Sequence, residues 1–350
     1  MHYSLRELGA EFSVDAETFR ALRLPETLQC VLYGRSTVLN PAASVVIPVH
    51  NRQRALARAL GSALALRGDA PIEVVLIDDG SNDGTTALLA ELNDPRISAV
   101  GLQSRHGANT ARNVGVAIAR APVIAFLDSD DAYLEGRLSD PLSLLARNPD
   151  VGVVISSFIS RKKGVDRLLR LRERTYDGEA FKQLIAQYIL PPSTSGLTIR
   201  RELLLTCGGF DPEVRRIQDR DLLLQLAPYT RAATSEVVSW RKHWSGDGIS
   251  SSRDTYYEAL CEFLARHPLY AGEELATRNY LIGRHLVALV KRKQMARAAE
   301  VYRHARSSLS PCVPPLAQLL RTYLSTKRRR RKMVCSVRSS PHAINAEVDE

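Results

Sequence analysis

The sequence of 350 residues lacks a Cys-x-x-Cys pair, and its five cysteines (Cys30, Cys207, Cys261, Cys312 and Cys335) are scattered. With no histidine at ligand spacing beside them, a zinc module and a disulfide scaffold are both excluded, and reduced thiols are expected. No apolar run approaches the ~18 residues of a membrane span, and the first residues (MHYSLRELGAEFSVDAE) hold no apolar signal core, so the expected setting is cytoplasmic. Aromatics make up only 6% of the chain and are not interleaved with its basic runs, so no nucleic-acid partner is expected. A glycine-rich GxGxxG is missing after the first apolar strand, where PVHNRQ stands instead, which disfavours a hydride-transfer enzyme.

What is present is a sizeable apolar fraction, 45%, enough for a large domain with an appendage. The formal charge of +10 is local, concentrated in KRRRRK (Lys327 to Lys332) and in RKKGVDRLLRLRER (Arg161 to Arg174). Residues 1–40 show no clear periodicity beyond a short helix at Ala16 to Leu24, and are expected to be an N-terminal extension packed on the main domain.

From Ser44 the pattern sharpens. SVVIPV, EVVLID (to Asp78), Ile97 to Val100 and VIAFLD (to Asp128) read as buried strands, alternating with helices at Arg54 to Leu66, Asp83 to Leu92 and Ala108 to Arg120. This alternation predicts an α/β fold, a mostly parallel sheet flanked by helices, over residues 41–252. Residues 253–325 carry apolar positions at three- and four-residue spacing and predict a helical C-terminal region. Residues 326–350 are expected to be a basic, disordered tail.

In such a sheet ligands bind beyond the carboxyl ends of the strands, where VHN, DDGSNDG and DSDD all fall. The carboxylates of Asp128, Asp130 and Asp131 repel one another, and a hard divalent cation bridging them to substrate phosphates relieves that repulsion, although a solvated acidic turn reads equally well from this segment alone. A buried carboxylate in DDGSNDG can accept the imide N–H of a uracil ring, or simply close a turn. Arg112, on a helix after a Gly-containing loop, can pair with phosphate or with the acidic cluster, or stay exposed.

Seven segments in order, VVIPVHNR, VVLIDDGSNDGT, GANTARNVGVAIA, VIAFLDSDDAYLEGRL, PPSTSGLTIRREL, GGFD with QDRDLLLQLA, and WRKHWSGDGIS, resemble the large family 2 of inverting glycosyltransferases over roughly residues 43–251. The resemblance implies the GT-A nucleotide-sugar fold and transfer from a nucleotide-diphosphate sugar, UDP-linked by expectation, to a saccharide or lipid-linked acceptor in bacterial cell-surface polysaccharide or glycolipid synthesis. It places Pro48, Asn51, Arg52, Asp78, Asp79, Arg112 and Asp128 on the donor, and Asp130 and His243 on Mg²⁺ or Mn²⁺. Asp219 matches the carboxylate that deprotonates the acceptor, and Trp240 and Trp244 line the site or pack. The sequence departs from many relatives at Gln218, His106, Ala121 and Glu135, and of these only Gln218 adjoins the supposed base. That departure keeps a non-catalytic nucleotide-sugar-binding scaffold as an alternative, and a nucleotidyltransferase is a second. The apolar segment running into KRRRRK suits peripheral contact with the inner face of a membrane.

Overall fold

The computed structural model of the chain describes residues 2–66, 68, 70–162, 164–244 and 256–338. It divides into two compact units: residues 2–182 with 192–244, and residues 183–191 with 256–337.

The first unit is built in chain order from β1 (His2–Ser4), α1 (Leu5–Phe12), α2 (Ala16–Ala21), β2 (Gln29–Gly34), β3 (Ala43–Val49), α3 (Gln53–Leu64), β4 (Ile72–Asp78), α4 (Thr85–Glu91), β5 (Ile97–Leu102), α5 (Ala108–Ile118), β6 (Val123–Phe126), β7 (Ala132–Tyr133) and α6 (Ser139–Arg147). It continues with β8 (Val151–Lys162), β9 (Val165–Leu169), β10 (Arg174–Tyr176), α7 (Gly178–Ala186), β11 (Leu197–Arg200), α8 (Arg201–Cys207), α9 (Gln218–Leu226) and β12 (Arg231–His243). The last turn of α7 falls in the second unit, with α10 (Tyr256–Arg266), α11 (Leu275–Lys291), α12 (Met295–Ser308) and α13 (Leu316–Val337).

One sheet runs through the first unit in the order β1-β2-β5-β4-β3-β6-β11-β8-β12-β10, with β7 on β12 and β9 on β8. The four strands read from continuous apolar runs, β3, β4, β5 and β6, form its parallel centre. Covered on both faces, such strands need no polar alternation, which is why the sequence shows runs. Outside this centre the sheet is mixed: β8 and β12 pair in parallel, whereas β2 on β5 and β11 on β6 are antiparallel. The expectation of a mostly parallel sheet is therefore corrected to a parallel centre with antiparallel flanks.

The first 40 residues join the sheet of this unit through β1 and β2. Pro48, which lacks an N–H, sits inside β3 opposite Ile77 of β4. It is tolerated because pairing with β6 ends at Val46↔Phe126, so no ladder donor is needed on that side.

The second unit centres on Ile282, Leu286 and Leu289 of α11, Val301 of α12, and Val313 and Leu319 around the start of α13. Contrary to the expected disorder from residue 326, α13 continues through KRRRRK to Val337. Arginine and lysine are good helix formers, and Arg330 is held in place: its guanidinium lies 4.5 Å from the Tyr280 ring and donates to the carbonyls of Gln187 (2.7 Å) and Tyr188. Residues 339–350 of the expected tail lie outside the described residues. None of the helices described is long and apolar enough to cross a membrane.

Candidate active site

The loops after β3, β4 and β6 meet at the carboxyl edge of the parallel centre, and the first two are laced together. Asn51, in the left-handed region at φ 52°, donates its N–H to Ser81 Oγ (2.8 Å) and accepts the Asn82 N–H through Oδ1 (2.8 Å). Arg52 N–H reaches Thr85 Oγ1 at 3.2 Å. Gly80 has φ +68°, and a Cβ there would come 2.7 Å from the Ser104 backbone, so the β4 loop can lie against the β5 loop only as glycine.

Asp78 and Asp79 are both buried, with different tasks. Asp78 closes its own turn, accepting from the Ser81 N–H (3.1 Å) and hydroxyl and from Thr86 Oγ1 (3.1 Å). Asp79 accepts the N–H of His106 (2.6 Å) on one oxygen and of Gly107 (2.8 Å) on the other, which fixes the loop entering α5. Burial raises its pKa despite these bonds. Pro48 is buried within β3, one residue before the strand ends at this edge.

Helix α5 is buried from Asn109 to Ile118 and turns its polar side chains to two places. Arg112 pairs with Asp128 Oδ1 at 2.7 Å and lies 5.2 Å from the Phe210 ring; its side chain is 4% exposed against 27% for Asp128. Of the alternatives for this residue, the structure therefore selects the acidic cluster. Asn109 Nδ2 donates to the carbonyls of Asp211 (2.7 Å) and Val214 (2.8 Å), and Asn113 Nδ2 to those of Phe210 (2.7 Å) and Leu22 (2.8 Å). At spacings of three and four, GANTARN thus holds both the DSDD turn and the GGFD segment that leads to Asp219.

Within DSDD, Asp131 is the buried carboxylate. Its Oδ2 accepts the Ser195 hydroxyl at 2.6 Å, its Oδ1 the His243 N–H at 3.0 Å, and Ser195 Oγ in turn receives the Asp128 N–H at 3.1 Å. Burial first, then the negative charge of Asp128, pushes its pKa up to about 7. Asp130 is more open and faces Arg52 at 3.0 Å, while its carbonyl accepts from Arg58 at 2.6 Å. Lys242 reaches Ser193 Oγ at 3.1 Å, and its charge opposes the upward shifts of both Asp131 and Asp219.

Asp219 lies in the first turn of α9, after Ile217 at φ 63°, and accepts the Arg220 N–H at 2.8 Å. It is half-buried, and desolvation raises its pKa against the opposing charges of Arg220 and Lys242, with Asp128 adding to the rise. His243 ends β12 with its imidazole pKa lowered to about 4 by burial and by Arg58, Arg241 and Arg161, so the ring is neutral, the form a metal ligand requires. Trp240 packs rather than lining the site: it is fully buried, stacked on Phe158 at 4.4 Å. Residues 245–250 of the WRKHWSGDGIS segment lie outside the described residues.

Among the described residues no three His, Cys, Asp or Glu side chains converge on one cation position. The chemistry still fits a divalent ion that takes few protein ligands and completes its shell with phosphate and water, because Asp128 and Asp130 stand close enough to Asp131 to raise its pKa and a neutral imidazole lies on β12. The structure thus assembles Arg52, Arg112, Asp128, Asp130 and His243 around the DSDD turn, and sets Asp219 within its electrostatic reach. Sequence reasoning counted Asp131 in the acidic turn without giving it a task of its own, and passed over Ser195 and Lys242, which lie inside segments already singled out.

The site therefore joins an acidic turn, surrounding guanidinium groups and a half-buried carboxylate at the carboxyl edge of an α/β sheet. Residues 44–207 match the model for "Glycosyl transferase family 2". The chain is 31% identical over 227 residues to the uncharacterised glycosyltransferase alr2836 of Nostoc sp., covering 61% of this chain and 68% of that protein. It is 42% identical over 98 residues to the succinoglycan biosynthesis protein ExoO of Rhizobium meliloti, a stretch that spans only 28% of each chain. The fold is shared with S. aureus TarS in complex with UDP-GlcNAc (TM-score 0.54, 19% identity, 83% of this chain and 90% of that one). It is shared also with the mannosyltransferase PcManGT of Pyrobaculum calidifontis in complex with GDP-Man and Mn²⁺ (TM-score 0.53, 20% identity, 93% and 90%). The chain belongs to glycosyl transferase family 2.

Proposed function

We propose that the protein transfers a sugar from a nucleoside-diphosphate sugar, UDP-linked, to an acceptor hydroxyl with inversion at the anomeric carbon, in the synthesis of a bacterial cell-surface polysaccharide or glycolipid. The observation that carries the reading is the pairing of one half-buried carboxylate, Asp219, with the acidic DSDD turn that acts on it.

Asp219, its basicity raised by desolvation, takes the proton of the acceptor hydroxyl as that oxygen bonds to the anomeric carbon. The bond from that carbon to the diphosphate oxygen breaks, and its electron pair leaves with the nucleoside diphosphate. One displacement opposite the leaving group turns an α-linked donor into a β-linked product. Asp79 and Asn51 shape the nucleoside side of the edge, and Asp78 holds the turn on which they depend. Arg112 orients Asp128 through their ion pair, and Arg52 stands where a phosphate would exchange with Asp130. Asp130 and the neutral imidazole of His243 would hold Mg²⁺ or Mn²⁺, which when bound offsets the charge growing on the leaving diphosphate. A saccharide carried on lipid is the acceptor class, with the protein in the cytoplasm and in peripheral contact with the inner membrane face.

The test is thermal stabilisation by a panel of nucleotides and nucleotide sugars with and without Mn²⁺, followed by donor turnover. A Mn²⁺-dependent rise with UDP or UDP-sugars, lost in Asp130→Ala, is expected. Persistence of donor turnover in Asp219→Asn would remove the assigned base.

A further inference from the structure

The second unit carries sixteen lysines and arginines against five glutamates over residues 183–191 and 256–337, a net +11. The whole chain is +10, so this unit holds all of its net charge. Its most conspicuous basic segment, KRRRRK, is partly engaged: Arg330 closes on Gln187, Tyr188 and Tyr280, and Lys327 lies over the Tyr323 ring at 5.4 Å.

A second basic site lies in the α11–α12 turn, where residues 290–296 are exposed without interruption. Val290 is 47% and Met295 60% exposed, flanking Lys291, Arg292 and Lys293, and among the described residues no ion pair ties up these three cations. Helix α13 runs back along α11, since Leu319 shares a core with Leu286 and Leu289, Tyr323 covers Gly283, and Arg330 sits over Tyr280. Leu316, 46% exposed, therefore starts α13 at the same end of the unit as this turn.

The turn also keeps a costly residue. Lys293 N–H donates to the Val290 carbonyl (2.9 Å) and Gln294 N–H to that of Leu289 (3.1 Å), the paired bonds that close a helix through a left-handed residue. That left-handed residue is Lys293, at φ 62°, where glycine carries no Cβ penalty. A lysine at this position sets a third cation at the exposed tip of the turn.

We propose that the end of the helical unit formed by Val290, Lys291, Arg292, Lys293, Met295 and Leu316 is a docking surface for an anionic lipid bilayer. Exposed aliphatic side chains among unpaired cations fit the boundary between acyl chains and negative headgroups. Nucleic acid fits less well, because no Phe, Tyr or Trp among the described residues of this unit is fully exposed to stack on bases. The inference deepens the reading of a lipid-borne acceptor, and binding is measured without turnover, so the two can fail separately.

The experiment is sedimentation of the full chain with vesicles of phosphatidylcholine alone or with 30% phosphatidylglycerol, beside a 20-base-pair DNA duplex. Selective binding to the anionic vesicles, weakened by salt, is expected. Lys291→Gln/Arg292→Gln/Lys293→Gln should weaken it about 100-fold, and Val290→Ser/Met295→Ser should weaken it by at least tenfold. Arg328→Gln/Arg329→Gln/Arg331→Gln should weaken it less than the turn triple variant. Lys293→Gly relieves the left-handed strain, so it should fold at least as stably as wild type while binding vesicles about fivefold more weakly. Wild-type affinity in Lys293→Gly and in the triple turn variant, or binding to duplex in preference to anionic vesicles, overturns the proposal.

Discussion

The two units divide the protein's resources. The first holds every candidate site residue yet is close to electrically neutral, its charges consumed in close pairs such as Arg112–Asp128, Arg52–Asp130 and Arg120–Glu73. The second holds the surplus of positive charge with few carboxylates to absorb it. Charge that is paired and buried sets geometry and pKa; charge that is exposed and unpaired attracts a partner. Net charge read over the whole chain hides this, because the value belongs to one unit and the chemistry to the other.

The sharpest test of the division is Asp219→Asn. It should lower kcat about 10³-fold, within the range for removing a general base, with little change in donor affinity, as steady-state kinetics and nucleotide-induced melting shifts will show together. Next comes the cation. Chelation by EDTA, or Asp130→Ala, should abolish the Mn²⁺-dependent part of the nucleotide shift while leaving vesicle binding unchanged; parallel loss of both would break the division.

Arg112→Met should cost about 3 kcal/mol by leaving Asp128 beside a buried apolar side chain. Both tryptophans of the chain, Trp240 and Trp244, belong to the first unit, so tryptophan fluorescence in urea reports its unfolding alone.

A smaller effect follows from Asp131. Its carboxyl group holds a proton more tightly in the folded chain, to about 7, than at the free value of 3.8. The resulting stability is complete below pH 3.8 and is lost as pH rises through about 7, so metal-free wild type should show a urea midpoint that falls between pH 5 and 8. Asp131→Asn should flatten that slope. For Asp219 the raised pKa acts on rate: the base must be ionised, so kcat/KM should fall as pH drops through a value above the ordinary aspartate range. The smallest effect is expected from Arg328→Gln/Arg329→Gln/Arg331→Gln, which should leave nucleotide binding unchanged.

The parallel centre was legible because β3, β4, β5 and β6 are buried on both faces and so read as unbroken apolar runs. β2 was not: Gln29–Gly34 is half-buried along most of its length and neither runs nor alternates cleanly. β9 (VDRLL) is paired on one side only, to β8, and its charged residues resemble those of a loop. KRRRRK suggested disorder by composition, although its residues are good helix formers and Tyr280 supplies a partner from another helix. At the site, residue types announced the cluster of Asp128, Asp130 and Asp131, and the resemblance pointed to Asp219. That Asp131 is the buried carboxylate of the three stayed hidden, because its partners are Ser195 and His243, 64 and 112 residues away. The resemblance placed Arg112 near the donor; only the structure shows its guanidinium held by a neighbouring aspartate.

Helix α5 has a consequence for how such an enzyme can change over generations. Asn109, Arg112 and Asn113 grip the DSDD turn and the segment leading to Asp219 from one rigid rod. A substitution that tilts this rod moves both halves of the reaction centre together, so new sugars and new acceptors must be acquired through loops the rod does not touch. Variation that alters one specificity without the other should therefore collect away from α5, and the helix itself should behave as inherited machinery.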